Sequence, residues 1–195
     1  MKFWLGVGLL LGSGAAIVWP FDASLLDWQP SLFWTQPWRC VTGAWVHLSR
    51  QHLVANLGGL LTALVLGWAA RLPARAALAW LLAWPLTQLG LMTQPQLLHY
   101  GGLSGVVHAA VAITVLHLLV NGRRMERIIG VLLGLGLLAK LILEQPFASA
   151  TQTVPGWDIA LAPVAHVSGS LAGLLAFVLC EVLSPKAHAA AGKSI

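Results

Sequence analysis

The sequence predicts an all-α membrane protein with six transmembrane helices. Of its 195 residues, 58% are hydrophobic and 9% are charged, and the mean hydropathy is +0.80. Soluble domains rarely have so apolar a composition. Long apolar runs also recur near the length of about 20 residues that a helix needs to cross about 30 Å of hydrocarbon. These runs are continuous and rich in Leu and Ala, whereas membrane strands would alternate over about ten residues.

The apolar runs divide the chain into spans and short connections, consistent with a single domain over residues 1–195. Trp19-Pro20-Phe21-Asp22 is a poor cleavage site for a signal peptide, so the first run is expected to remain as a span. The predicted spans are residues 3–20, 48–70, 76–93, 101–120, 128–145 and 161–183.

Residues 21–47 form a connection too long for a plain turn, and it contains Trp28, Trp34, Trp38 and Trp45. Because Trp favours the headgroup region, this outer loop is predicted to lie in or on the outer leaflet. Two interpretations stay open: an aromatic belt without a catalytic part, or an active part in substrate access.

Basic residues cluster at alternate ends of the spans and predict the orientation, since cytoplasmic loops hold an excess of Lys and Arg. Both termini are therefore expected in the cytoplasm. The Arg clusters are short and lie beside spans, which argues against nucleic-acid binding. The residues predicted to be inside are Lys2, Arg71, Arg75, Arg123, Arg124, Arg127, Lys186 and Lys193.

Four polar residues fall near the outer ends of predicted spans: Ser104, His166, His52 and Asn56. The i, i+4 spacing of His52 and Asn56 puts both on one helix face. Ionisable groups within spans are costly and usually face a bundle interior or a water-filled cavity. A Ser and a His at one depth in a membrane therefore suggest a hydrolase.

Glycines surround the serine and follow the histidine. Gly102 and Gly105 flank Ser104 closely enough to expose its hydroxyl and let backbone N–H groups approach a reacting carbonyl. Gly169 and Gly173 lie on one face of the last span, where small residues allow close helix packing. Taken alone, each pattern is more commonly explained by packing without function.

Together these residues resemble the rhomboid intramembrane serine proteases. The resemblance implies a six-helix rhomboid-like bundle that cleaves transmembrane protein substrates without a metal or other cofactor. It implies Ser104 as nucleophile and His166 as general base, with the Ser104 N–H, His52 and Asn56 stabilising the oxyanion. The matching pieces are Trp38-Arg39, His47, His52-x-x-x-Asn56, Gly102-Leu103-Ser104-Gly105 and Ala165-His166-Val167-Ser168-Gly169 with Gly173 beyond.

The acidic residues favour a Ser–His dyad over a triad. The predicted spans place no carboxylate at the depth of the serine in the outer halves of the second, fourth or sixth span. Lys140 and Glu144, at i, i+4 in the fifth span, are expected to form a local ion pair, with a gate or proton relay as the other interpretation.

The sequence also argues against other classes of intramembrane protease. An aspartyl protease would need two facing Asp residues within spans, and a zinc protease would need a His-Glu-x-x-His motif, which is absent.

His108 departs from the broad rhomboid pattern, which has Tyr four residues after the serine. It could pack on His166, hold a water, or compete for the role of base. With the short six-span form, His108 makes the chain most similar to the rhombosortase branch. That branch is associated with bacterial exported proteins bearing GlyGly-CTERM tails, which implies a site at the periplasmic face of the inner membrane and Gly-Gly-containing substrates.

Two other functions remain open from the sequence. One is a catalytically inactive rhomboid relative that binds membrane helices, although the chain retains both Ser104 and His166. The other is a small transporter using the intramembrane histidines, although no internal repeat is evident.

Overall fold

The computed structural model describes residues 1–183, and within this range the regular structure is helical. Lys186 and Lys193, two of the basic residues predicted to be cytoplasmic, lie outside the described residues, as does the rest of the predicted domain after residue 183. Residues 1–183 contain seven α-helices: α1 (Lys2–Val18), α2 (Arg39–Thr42), α3 (Arg50–Ala69), α4 (Ala74–Gly90), α5 (Ser104–Asn121), α6 (Arg124–Leu143) and α7 (Val164–Leu183).

Four apolar segments of the described chain are long enough to cross a membrane: Arg50–Ala69, Ala74–Thr93, Ser104–Asn121 and Val164–Leu183. The all-α prediction is thus confirmed, but the count of six spans is not. α1 is apolar and shorter, with 17 residues. α6 has 20 residues, among them Arg124, Glu126, Arg127 and Lys140.

The centre of the fold is formed by α4, α5 and α7, which make the most extensive helix contacts. α3 and α6 pack on α5, and α1 packs on α3 and α4. The core is rich in Ala, with large side chains such as Trp4, Trp80 and Phe177 fully buried between the helices. Small residues let these helix backbones approach closely, which apolar membrane helices need for dense packing.

Two helices begin three residues later than the sequence predicts, and both shifts affect the site. The backbone at Gly102 has φ +130°, a conformation that α-helices do not use, so α5 begins at Ser104. α7 begins at Val164, directly after Pro163, which cannot donate a backbone hydrogen bond. Ser104 is therefore the first residue of its helix, and His166 lies in the first turn of its own.

Residues 21–47 form a folded cap rather than a uniform aromatic surface. Trp28 is fully buried, whereas Trp34 is 84% exposed. The guanidinium of Arg39 pairs with the Asp27 carboxylate at 2.9 Å, and both side chains are buried. Arg39 also donates to the backbone carbonyls of Asp27 and Ser24, so one cation organises much of this segment.

Candidate active site

A cavity of about 510 Å³ lies between α3, α5, α6, α7 and the segment that precedes α7. The four polar residues selected from the sequence, Ser104, His166, His52 and Asn56, all line it, together with His108. Residues separated by up to 114 positions thus share one concave space. A concave pocket with a few convergent polar groups is typical of an enzyme active site.

The backbone before Ser104 requires glycine. A Cβ added at Gly102 would lie 2.7 Å from Nε2 of His52, and the φ of +130° disfavours any other residue. On the other side of Ser104, a Cβ added at Gly105 would lie 2.7 Å from the Ala165 carbonyl oxygen. The serine therefore stands in a tight passage between α3 and α7.

Contact between helix backbones brings the start of α7 to the start of α5. A Cβ added at Gly169 would overlap the carbonyl oxygen of Gly105, and one at Gly173 would overlap that of Ala109. Since His166 lies one turn before Gly169, this contact puts the imidazole beside the first turn of α5.

His166 is held on one side by a carboxylate. Its Nδ1 lies 2.6 Å from Oε2 of Glu144, the residue that directly follows α6. An ionised carboxylate only accepts hydrogen bonds, so Nδ1 carries the proton in this contact. A neutral ring in that tautomer has its lone pair on Nε2, where it can accept a proton.

His108 connects the serine backbone with the other imidazole. Its Nδ1 donates to the Ser104 carbonyl oxygen at 2.7 Å, and its ring stacks on that of His166. Of the three interpretations left open by the sequence, the geometry matches packing on His166.

His52 and Asn56 are buried on one face of α3 and reach the cavity beside Gly102. The Asn56 Nδ2 group donates to the His52 carbonyl oxygen at 2.9 Å, which leaves its second N–H for another acceptor. Within residues 1–183, the buried Asn56 Oδ1 and His52 Nδ1 have no hydrogen-bond partner. His52 also packs against His47, with ring centroids 4.9 Å apart.

The comparison with known families matches the region that builds this cavity. The Rhomboid domain matches residues 35–181, a range that contains α2 to α6 and all but the last two residues of α7. The chain belongs to the rhomboid family. Rhomboids are generally intramembrane serine proteases that act on transmembrane substrates. No curated protein matches the chain.

One sequence expectation about this rhomboid is wrong: a carboxylate does reach the histidine. The dyad prediction considers only carboxylates in the outer halves of the second, fourth and sixth spans, whereas Glu144 lies in the fifth predicted span, where its spacing predicts a local pair with Lys140. The Lys140–Glu144 contact is present, but it uses Oε1 of the carboxylate, while Oε2 contacts His166. The sequence does contain a signal for this contact: Glu144 lies in the apolar run 128–145, where an acidic side chain is energetically costly unless it has a partner.

Sequence reasoning also missed Tyr100, the one tyrosine of this rhomboid. Its buried hydroxyl donates to the Gly102 carbonyl oxygen at 3.5 Å, and the residue lines the cavity together with Ser104. Burial raises the pKa of Tyr100, and interaction with Ser104 and the Gly105 backbone acts in the opposite direction. The residue is held by backbone hydrogen bonds with Trp28, at 2.7 and 2.9 Å, which no local pattern indicates.

The described residues offer little to a metal ion. Within residues 1–183, no three His, Cys, Asp or Glu side chains are grouped closely enough to hold one.

Proposed function

We propose that this rhomboid-family protein is an intramembrane serine endopeptidase with Ser104 as nucleophile and His166 as general base. The observation that carries the proposal is the shared cavity, which both side chains line. Ser104 lies in the first turn of α5 and His166 in the first turn of α7, and the backbones of these two helices are in close contact. A hydroxyl becomes a strong nucleophile only when a nearby base takes its proton, and neutral imidazole suits that role.

The reaction begins when Oγ of Ser104 attacks the carbonyl carbon of the scissile peptide bond and its proton passes to Nε2 of His166. The C–N bond then breaks as His166 gives that proton to the leaving amine, which leaves an acyl ester on Ser104. Water attacks the ester, transfers a proton to His166, and releases the new carboxyl end of the substrate. His166 returns its proton to Ser104, so the enzyme is regenerated.

Stabilisation of the oxyanion is assigned to the Ser104 N–H, His52 and Asn56. Ser104 begins α5, and the first N–H groups of a helix have no partner within it. The positive end of the helix dipole also favours negative charge there. Support for the other two comes from their position beside Gly102 and from the spare N–H of the Asn56 amide.

The substrate class is assigned to proteins with a single membrane anchor, of the GlyGly-CTERM type that the rhombosortase resemblance implies. Two features support this choice. His108 stands where rhomboids commonly carry Tyr, and glycine weakens a helix by roughly 0.5–1 kcal/mol per residue, which lets the scissile segment unwind into the cavity. We further propose six spans with both termini in the cytoplasm and the cavity toward the periplasm of a bacterial inner membrane.

Cleavage of two membrane-anchored substrates, one with a Gly-Gly tail and one with an ordinary transmembrane helix, tests this function. The wild-type protein should cut the Gly-Gly substrate faster and should be labelled by a fluorophosphonate probe. Ser104→Ala should lose both activities, whereas Ser13→Ala, on the exposed face of α1, should keep them. Cleavage that persists in Ser104→Ala would refute the mechanism, and a folded wild-type protein that cuts neither substrate would indicate an inactive relative.

A further inference from the structure

The carboxylate of Glu144 occupies the position from which a third residue can act on His166. Its Oε2 lies 2.6 Å from Nδ1, a length typical of a charge-assisted hydrogen bond. The His166 side chain is 11% exposed and that of Glu144 is 24% exposed, so the contact is partly shielded from water. Shielding strengthens the electrostatic interaction between a carboxylate and a ring that becomes positively charged.

The carboxylate has one partner on each oxygen. Lys140, one turn earlier on α6, contacts Oε1, while Nδ1 of His166 contacts Oε2. A carboxylate held from both sides has little freedom to turn away from the imidazole. The lysine therefore fixes the direction of the Glu144 side chain.

The backbone around Glu144 is fixed as well. Glu144 caps the C-terminal end of α6, and the chain turns away directly after it because Gln145 adopts a left-handed conformation, with φ 46°. The Gln145 carbonyl oxygen accepts from the Gln152 side chain at 2.8 Å. Gln152 in turn pairs through its backbone with Leu161, two residues before Pro163 and the start of α7. The end of α6 and the start of α7 are thus tied together next to the contact.

We infer that Glu144 completes a Ser104–His166–Glu144 triad as the positioning residue of the general base. It holds His166 in the tautomer with the proton on Nδ1 and stabilises the imidazolium that forms when the Ser104 proton arrives on Nε2. Glu144 itself stays ionised, and no proton is transferred to it. This inference rests on the proposed function, in which Ser104 and His166 carry out the cleavage.

The stacked His108 ring cannot take over this role. Its Nδ1 already donates to the Ser104 carbonyl oxygen, and it meets His166 face to face. Stacking restricts tilting of the His166 ring but does not decide which of its nitrogens carries the proton. Only an acceptor in line with Nδ1, such as the Glu144 carboxylate, does that.

Substitutions that separate charge from shape test the role of Glu144 in the full chain. Glu144→Gln should lower kcat by about 10²-fold to 10⁴-fold with KM changed only a few-fold, because the proposed role of the carboxylate is to position His166 and stabilise its charged form in the chemical step. Glu144→Asp, which keeps the charge on a shorter side chain, should recover at least roughly tenfold of that loss. Glu126→Gln makes the same change at the other end of α6 and should leave kcat unchanged. Wild-type kcat in Glu144→Gln would overturn the triad.

A spectroscopic measurement covers the case in which Glu144→Gln does not fold. In the inactive Ser104→Ala protein labelled with ¹⁵N-histidine, the His166 signals, assigned by their loss in His166→Gln, should show the proton on Nδ1 at neutral pH. A proton on Nε2 instead would overturn the inference. Failure of the proposed function is a separate result, because it appears as cleavage that survives Ser104→Ala whatever residue stands at 144.

Discussion

The imidazole rings of His108 and His166 are stacked, with centroids 4.1 Å apart and an angle of 12° between their planes. The hydrogen bond from His108 Nδ1 to the Ser104 carbonyl oxygen fixes the first of these rings on α5. Because the rings are nearly parallel, His108 supports the face of His166 rather than competing for the atoms at its edge. The two histidines are therefore expected to differ sharply in their effect on activity.

His166→Ala should reduce turnover by about 10³-fold or more, since no other base lies in the same position. His108→Tyr should retain a measurable fraction of activity, because an aromatic ring can still stack on His166. Single-turnover cleavage rates measured with His117→Ala as a distant control on α5 distinguish the two residues. The reverse ranking would identify His108 as the base.

Substitution of a proposed oxyanion donor should lower kcat less than substitution of the nucleophile or the base. Asn56→Ala and His52→Ala should each lower kcat by roughly 10²-fold to 10³-fold, the usual loss when one donor is removed. Asn121→Ala, at the end of α5, should have no such effect. A folded Asn56→Ala protein with the kcat of the wild type would remove Asn56 from the site.

Close contact of α5 and α7 makes Gly169 intolerant of a side chain. Gly169→Ala should destabilise the protein by about 1–3 kcal/mol, because its Cβ would overlap the Gly105 carbonyl and force the helices apart. Gly58→Ala is the matched control, since nothing lies within 4 Å of a Cβ added there, and it should be neutral or stabilising by up to about 1 kcal/mol. Denaturation in detergent measures both. Equal stability of the two variants would contradict the close approach.

The buried pair in residues 21–47 should matter far more than a pair nearer the surface. Asp27→Asn leaves the Arg39 guanidinium without its carboxylate and should cost about 3–5 kcal/mol. Arg75→Gln breaks the partly exposed pair with Glu181 and should cost about 0–1 kcal/mol. Thermal unfolding of the purified variants gives the comparison, and a smaller loss for Asp27→Asn than for Arg75→Gln would refute it.

Acid sensitivity is expected from His47, the last residue of the cap before α3. Burial lowers its pKa from 6.5 to about 4, against the opposing effect of its hydrogen bond to the Trp45 carbonyl. The unfolded chain binds this proton more readily, so stability should fall as the pH drops from about 6.5 toward 4. His47→Gln should flatten that part of the stability profile. An unchanged profile in the variant would show that other groups cause the loss.

Local sequence determined the helical class and the residue types available for chemistry. Apolar runs near the length of a membrane span predicted the helices, since helix formation and membrane insertion depend on neighbouring residues. The exceptional polar residues in those runs, Ser104, His166, His52 and Asn56, were visible for the same reason. Hydropathy places the start of this helix at residue 101, three residues before Ser104, because it does not report the φ angle of Gly102.

Only the tertiary structure decided which of these side chains meet. Glu144 and His166 are 22 residues apart on different helices, and their contact depends on how the end of α6 is tied to the segment before α7. Trp28 and Trp34 are the same residue type in the same loop, yet Trp28 is buried against Tyr100 and Trp34 is exposed. Composition and periodicity describe each segment by itself, whereas the partner of a polar side chain is set by packing between distant segments.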